Sequence, residues 1–229
     1  MEASTPAGSV GVVDGEELLG ECAFCTVRDH SEQLLAGVDR VLRGAGLGLQ
    51  DLDGIAVGLG PGSFTGLRVA LSTAKGLAMA LGIPLRGVPT LEALAHNVPF
   101  WSGVVCPMVD ARRGRVYGGL FRGGPGHGLG RVGEDGIRHV ASWVGSMEGP
   151  VLFLGSGAAA HRQTIDAVLG GQARFAPPEL MHPRGAVVAR LGRDGLLEGR
   201  AEDLDSLVPF YLKPLEAEEP CGRGDPPGA

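Results

Sequence analysis

A short apolar run that ends in a glycine–proline–glycine turn and passes straight into a long helix does most to fix what this chain can become. Ile55-Ala56-Val57-Gly58-Leu59 reads as a buried strand, Gly60-Pro61-Gly62 as a sharp turn, and Ser63 to Leu81 as the strongest helix, stopped by Gly82. Strand, turn and helix in immediate succession point to an α/β architecture. The helix is apolar over much of its circumference. Phe64, Leu67, Leu71, Ala74, Ala78 and Leu81 form one face, and Gly66, Ala70, Thr73 and Leu77 form a second, mostly small one. Arg68, Ser72, Lys75 and Met79 make a narrow amphipathic strip beside them. Such a helix is central in its own domain or docks against a partner, and the pattern alone leaves both open.

Around this block the chain shows the same alternation. Ser9 to Val13 and Glu16 to Phe24 read as a hairpin about Asp14-Gly15. A helix follows, with Asp29 and Ser31 as caps, an apolar stripe of Leu34, Leu35, Val38, Val41 and Leu42, and Gly44 as its stop. Pro84 to Val88 reads as a strand, and Thr90 caps a short helix through His96. Val104 to Val109 is a strand ending at Asp110, Arg112-Arg113-Gly114 turns, and Val116 to Phe121 returns. An acidic residue beside a turn and a returning strand opens both halves, Glu2 in the first and Asp110 in the second. This weak echo places a lobe boundary near residue 100, giving lobes over 1–100 and 101–213. Beyond it, Gly123 to Gly128 reads as a flexible loop and Val151 to Leu154 as a strand. Helices are expected over Ala158–Leu169 and Gly185–Leu197, with a closing strand at Leu207–Leu212. The acid-, Pro- and Gly-rich stretch 214–229 reads as a disordered tail.

Composition removes several classes. A net charge of −6 and 5% aromatics give neither the cationic surface nor the stacking platforms of a nucleic-acid binder. Any RNA contact is therefore expected to be indirect. No apolar run approaches the ~18 residues of a membrane span, and the N-terminus lacks a secretory pattern, so the expected location is the cytoplasm. Cys22 and Cys25 have redox or half-zinc spacing, but on a strand residues three apart face opposite ways.

The turn Gly60-Pro61-Gly62-Ser63-Phe64-Thr65-Gly66 has two readings. A glycine turn at a helix N-terminus can bind phosphate, yet this one lacks the Gly-Lys-Ser/Thr ending and the dinucleotide glycine spacing. The alternative is a tight strand-to-helix connection. The histidines never fall four apart, so no helical two-histidine metal site is encoded, and both Gly155-Ser156-Gly157 and Gly62-Ser63-Phe64 miss the nucleophile elbow.

The block Gly58-Leu59-Gly60-Pro61-Gly62-Ser63-Phe64-Thr65-Gly66-Leu67-Arg68, continued by Ala74-Lys75-Gly76-Leu77-Ala78 and Gly82-Ile83-Pro84, strongly resembles the TsaB (YeaZ-type) family. Supporting pieces stand in order. They are Ser4-Thr5-Pro6, His30-Ser31-Glu32, Val109-Asp110-Ala111-Arg112-Arg113-Gly114-Arg115-Val116-Tyr117 and Pro209-Phe210-Tyr211-Leu212. The resemblance implies an actin/Hsp70/sugar-kinase-like (ribonuclease H-like) α/β fold of two related lobes. It also implies a non-catalytic partner role in forming threonylcarbamoyladenosine next to the tRNA anticodon. The partners implied are a TsaD-like catalytic subunit and a TsaE-like ATPase, with a homodimer when the chain is alone and tRNA reached only indirectly. No cofactor is expected on the chain itself, and ATP belongs to the assembled complex. The chain lacks the H-x-x-x-H metal site of the catalytic subunit. By position, docking is expected through the two early helices, with Leu34, Leu35, Val38, Ala70, Thr73 and Leu77 at the interface. Gly60, Pro61, Gly62, Ser63, Thr65, Gly66 and Arg68 form the family-motif loop. Two other readings stand beside this one: an independent ATP-dependent enzyme of the same fold, and a peptidase acting on the catalytic subunit. The family's opening apolar strand is reduced here to Met1-Glu2-Ala3-Ser4-Thr5, as a misassigned start would leave it, with Glu2 at the usual aspartate position. A sheet edge exposed in this way favours self-association.

Overall fold

The computed structural model describes residues 1–25, 30–124 and 128–211. The expected cap Asp29, the middle of the Gly123–Gly128 loop, Leu212 and the 214–229 stretch lie outside them.

The first half opens with an antiparallel hairpin, β1 (Ala7–Asp14) and β2 (Glu17–Cys25). Helix α1 (His30–Gly44) follows, and then β3 (Ile55–Gly60) leads through the glycine turn into α2 (Phe64–Leu81). Strand β4 (Leu85–Pro89) returns parallel to β3, the arrangement that a helical crossover produces, and α3 (Thr90–Ala95) closes this half. The strands thus form two separate two-stranded sheets, β1-β2 and β3-β4.

The second half is built on one sheet. Its central strand is β5 (Gly103–Asp110), with β6 (Arg115–Gly118) and β7 (Phe121–Gly124) antiparallel to it. Strand β8 (Gly128–Arg131) pairs with β7, and β9 (Gly136–His139) pairs with β6. After α4 (Val140–Gly145), β10 (Val151–Leu154) lies parallel to the other side of β5. Helices α5 (Ser156–Ala160) and α6 (Arg162–Leu169) lead to β11 (Ala173–Phe175), parallel to β10. Helix α7 (Gly185–Leu197) then crosses back to pack on β1, β3 and β4 of the first half.

The cores follow this division. Val10, Leu34, Val38, Val57, Ala70 and Leu85 are buried in the first half. Cys106, Met108, Val116, Phe153 and Ile165 are buried in the second, and each large aliphatic side chain so buried contributes roughly 1.5–3 kcal/mol. Val88 with Val187 and Val188 joins α7 to β4. Cys22 and Cys25 do diverge: Cys22 is partly buried, its Sγ 3.7 Å from the Gly37 carbonyl, and Cys25 is exposed. Among the described residues no helix is long and apolar enough to cross a membrane.

Several expectations need correction. The strand expected over Val116–Phe121 divides into β6 and β7 around Gly119-Leu120, and Gly123 and Gly124 of the expected loop belong to β7. The helix expected over Ala158–Leu169 starts at Ser156 and is broken at His161, whose φ of −111° is not helical. The strand expected at Leu207–Leu212 is absent from residues 207–211, which follow an irregular path. There the Phe210 N–H donates one backbone bond to the Leu59 carbonyl at 2.8 Å, without a ladder.

Candidate functional site: an aromatic–arginine face on α2

The glycine turn is not an open anion cradle. Ser63 caps α2, its Oγ accepting from the Gly66 N–H at 3.3 Å, so one free donor of the first turn is already satisfied. The Ser63 N–H donates to the Ser4 carbonyl at 2.7 Å. Glycines are required here by close approach. A Cβ on Gly62 would stand 2.3 Å from the Ser4 carbonyl oxygen, and one on Gly66 would stand 2.0 Å from that of Ala3. The N-terminal segment therefore fills the space a phosphate would need. The tight-connection reading of Gly60–Gly66 accounts for these contacts.

The outer face of the same helix leaves apolar surface uncovered, as do Phe100 and Leu197 elsewhere. Phe64 opens α2, and its ring stacks on Tyr211 with centroids 5.7 Å apart. The Arg68 guanidinium lies 4.0 Å over the Phe64 ring, and Arg68 Nε donates to the Tyr211 hydroxyl at 3.4 Å. Stacking and cation–π contact hold three exposed side chains in one arrangement, so little side-chain entropy remains to be lost when something covers them. Phe64 is 55% exposed, Met79, farther along the same face, 69%, and Phe210 and Tyr211 are also exposed. Ser72 and Thr73 line a shallow depression with Arg68 and Val69. A concentration of exposed aromatic, Met and Arg side chains has the composition of an interface core.

The interface residues nominated from the sequence divide on burial. Leu34, Val38 and Ala70 are buried inside the chain, Leu35 is 49% exposed, and Thr73 and Leu77 are partly covered. In the motif loop, Gly60, Pro61 and Gly66 are buried, Gly62 is partly buried, and Ser63, Thr65 and Arg68 are exposed. Sequence reasoning grouped Phe64 with Leu67 and Leu71 on one apolar face and did not nominate it as a surface anchor. Tyr211 was noted only as part of a motif, and nothing in a linear sequence brings it to α2.

A second polar group lies at the end of β5. The Asp110 N–H donates to Ser156 Oγ at 3.1 Å, Asp110 Oδ1 accepts from the Arg112 N–H at 3.0 Å, and His161 Nε2 stands 3.5 Å from Asp110 Oδ1. A serine, a histidine and an aspartate are thus neighbours. The peptidase reading, however, needs the histidine to take the serine proton, and among the described residues His161 Nε2 faces Asp110 and makes no hydrogen bond to Ser156. Among the described residues no group of three or more His, Cys, Asp or Glu stands together as a metal centre would require.

The fold is α/β in two halves, each with an antiparallel hairpin and a parallel strand pair. A family profile described as "TsaD: tRNA N6-adenosine threonylcarbamoyltransferase" matches residues 25–221. The tRNA threonylcarbamoyladenosine biosynthesis protein TsaB of Bacillus subtilis is 38% identical over 91% of this chain and 90% of its own length. The protein of the same name from Escherichia coli is 34% identical over 51% of each chain. The solved structure of YeaZ from Pseudomonas aeruginosa superposes with a TM-score of 0.77 at 25% identity, covering 92% of this chain and 97% of that one. The chain belongs to the TsaB (YeaZ-type) family of tRNA threonylcarbamoyladenosine biosynthesis proteins.

Proposed function

We propose that this chain is the non-catalytic partner of a TsaD-type subunit in threonylcarbamoyl transfer to tRNA, and that it docks through the outer face of α2. The observation that carries the reading is the preassembled Phe64–Arg68–Tyr211 stack, with Met79 beyond it on the same helix. Leu35, on the neighbouring helix α1, is the residue of the sequence-nominated set most available to extend that surface. The other nominated residues, Leu34, Val38, Ala70, Thr73 and Leu77, support the docking helices from beneath. The motif loop Gly60–Gly66 serves the interface by fixing where α2 begins. A chain of net charge −6 needs its partner to supply most of the RNA contact. ATP and a TsaE-type ATPase enter at the level of the assembly, in the cytoplasm, and without its partner the chain pairs with itself over the same apolar face. The lobes divide near residue 100, with α7 returning to the first.

The test is reconstitution. Mixed with its cognate TsaD-type subunit, the wild-type chain is expected to co-purify and to be required for modified tRNA. Phe64→Ala with Arg68→Glu should weaken the complex ~30-fold or more, the effect of losing a hot-spot pair, with an unchanged melting curve. Full modification in the absence of this chain would falsify the role, and unaltered affinity of the double variant would move the interface elsewhere.

A further inference from the structure

The acidity of the whole chain hides a local reversal. Between Trp101 and Arg184 the sequence carries nine arginines against six acidic residues, while the rest carries eleven basic residues against twenty acidic ones. From Ala111 to Gly133 there are five arginines and no acid. Three of the five, Arg112, Arg113 and Arg115, stand at the turn that joins β5 to β6.

The backbone of that turn makes the charges informative. Arg112 and Arg113 have φ of 63° and 54°, the only non-glycine residues with positive φ among the described residues, and Gly114 follows at 72°. The Ala111 N–H donates to the Arg115 carbonyl at 3.0 Å, and the Arg115 N–H donates to the Arg112 carbonyl at 3.1 Å. Left-handed backbone disfavours any residue with a Cβ, so two such positions in a row are filled at least cost by Asn-Gly or Gly-Gly. Arginine at both does nothing for the turn itself. Both are exposed, and neither forms an ion pair with another described residue. Strain kept where no internal contact needs it marks a functional position.

The surroundings say what the turn recognises. Arg115 pairs across the ladder with His139 of β9, whose Nε2 lies 3.6 Å from where a Cβ on Gly114 would stand. The one acid in the group, Asp110, is already engaged: its Oδ1 accepts from the Arg112 N–H at 3.0 Å and faces His161 Nε2 at 3.5 Å. Guanidinium groups present planar forks that match phosphate oxygens. Among the described residues, none of the exposed large apolar side chains belongs to the turn, β6 or β9. The surface therefore lacks both the apolar core of a protein interface and the aromatic platform that stacks a base. Backbone phosphodiesters are the groups that remain for it to contact.

We infer that the Arg112–Arg113 turn is a finger that holds the phosphate backbone of the tRNA without reading its bases, in addition to what the TsaD-type partner supplies. The inference rests on the tRNA role proposed above. It sets the RNA contact on the second half of the chain, whereas the α2 docking face belongs to the first.

The test variant is Arg112→Asn with Arg113→Gly, because both new residues accept left-handed backbone. It removes two charges and relieves the turn, so its melting midpoint should equal or exceed that of the parent chain. Arg112→Lys with Arg113→Lys keeps the charge. Each chain is assembled with the TsaD-type subunit, and two affinities are measured: chain for subunit, and complex for tRNA across a salt series. The Asn-Gly variant should bind the subunit as the parent does and bind tRNA ~10-fold more weakly at physiological salt. Its log–log salt slope should be shallower by about 2, roughly one counterion for each arginine lost. The double lysine should stay within ~3-fold of the parent. Unchanged tRNA affinity and slope in the Asn-Gly variant would overturn the inference. So would a loss of affinity for the subunit, which would assign the turn to the protein interface. Failure of the partner role looks different, since the parent chain then forms no complex. In that event phenylglyoxal labelling of the chain alone at low salt, read by mass spectrometry, decides. Transfer RNA should shield Arg112 and Arg113 and leave the exposed Arg43 and Arg162 reactive. Equal labelling with and without tRNA rules the finger out, and equal shielding by inorganic phosphate at matched ionic strength makes it a small-anion site instead.

Discussion

The first and second halves use the same parts, a hairpin and a parallel pair, yet only the second joins them. Strand β5 supplies the join: every strand of that half is tied to it directly or through one neighbour, and Cys106 and Met108 lie fully buried along it. The first half has a four-residue stub in that place and holds its sheets together through helices α1, α2 and α7 packed across the gap. Sheet integrity comes from backbone ladders in one half and from side-chain packing in the other. The first half therefore relies on helices covering both faces of its two sheets. It should also be the softer half.

The largest test of that contrast is a matched pair of core truncations. Phe153 on β10 and Leu34 on α1 are both fully buried. Phe153→Ala should cost about 4 kcal/mol, since a ladder-locked sheet cannot collapse onto the cavity. Leu34→Ala should fall near ~2–3 kcal/mol, at the low end for its type, because α1 already borders free volume and can relax into it. Urea denaturation of both variants decides the matter. Equal costs after allowing for side-chain size would mean that the first half is as rigid as the second.

A middle-sized effect concerns the seam between the stub and α2. In Gly66→Ala the new Cβ meets the Ala3 carbonyl, a backbone atom that cannot swing aside as a side chain would. The stub must lift, and the Gly58-to-Met1 and Ser63-to-Ser4 bonds go with it. A loss of about 2–3 kcal/mol is expected, together with faster amide exchange at Gly58 and Ser63 and unchanged exchange in β5. Fast exchange in both halves would show that the seam couples them.

Legibility in the sequence tracked the length of each element. Helix α7 spans Gly185–Leu197 as its spacing predicts, and α2 differs from expectation only in counting Ser63 as cap. The hairpin β1-β2 and strand β5 were readable because alternation or apolar runs extend over eight or nine residues. Strands β8, β9 and β11 have four, four and three residues, too few for a period to emerge, and sequence reading passed over them. The candidate site was half legible. Periodicity picks out apolar faces but cannot say what covers them, so Leu34 and Val38 could not be separated from Leu35. The Phe64–Tyr211 stack joins residues far apart in the chain and leaves no local trace.

The smallest expected effect comes from the buried amine of Met1, which donates to the Ala56 carbonyl. The Met1 ammonium has its pKa lowered from 8.0 to about 6, chiefly by burial, with Glu2 opposing the shift. Between those values the folded chain binds fewer protons here than the unfolded one. The stabilising contribution is therefore fully present above pH 8 and is lost as pH falls toward 6. At ~1.4 kcal/mol per unit the loss is about 2 kcal/mol. Glu2 runs the other way: burial raises its pKa, so its contribution is greatest in acid and fades as pH rises through the raised value. N-terminal acetylation separates the two, because an acetylated amine keeps an N–H for the Ala56 carbonyl but cannot take a proton. Unfolding free energies measured at pH 6 and pH 8 should differ by about 2 kcal/mol more for the free amine than for the acetylated chain. An identical pH dependence would mean that the amine reaches water and that the stub does not sit as a strand end between the two sheets. Glu2→Gln on the acetylated background should then leave only the histidines to titrate in this range, among them His182, whose burial lowers its pKa. What disappears belongs to the stub.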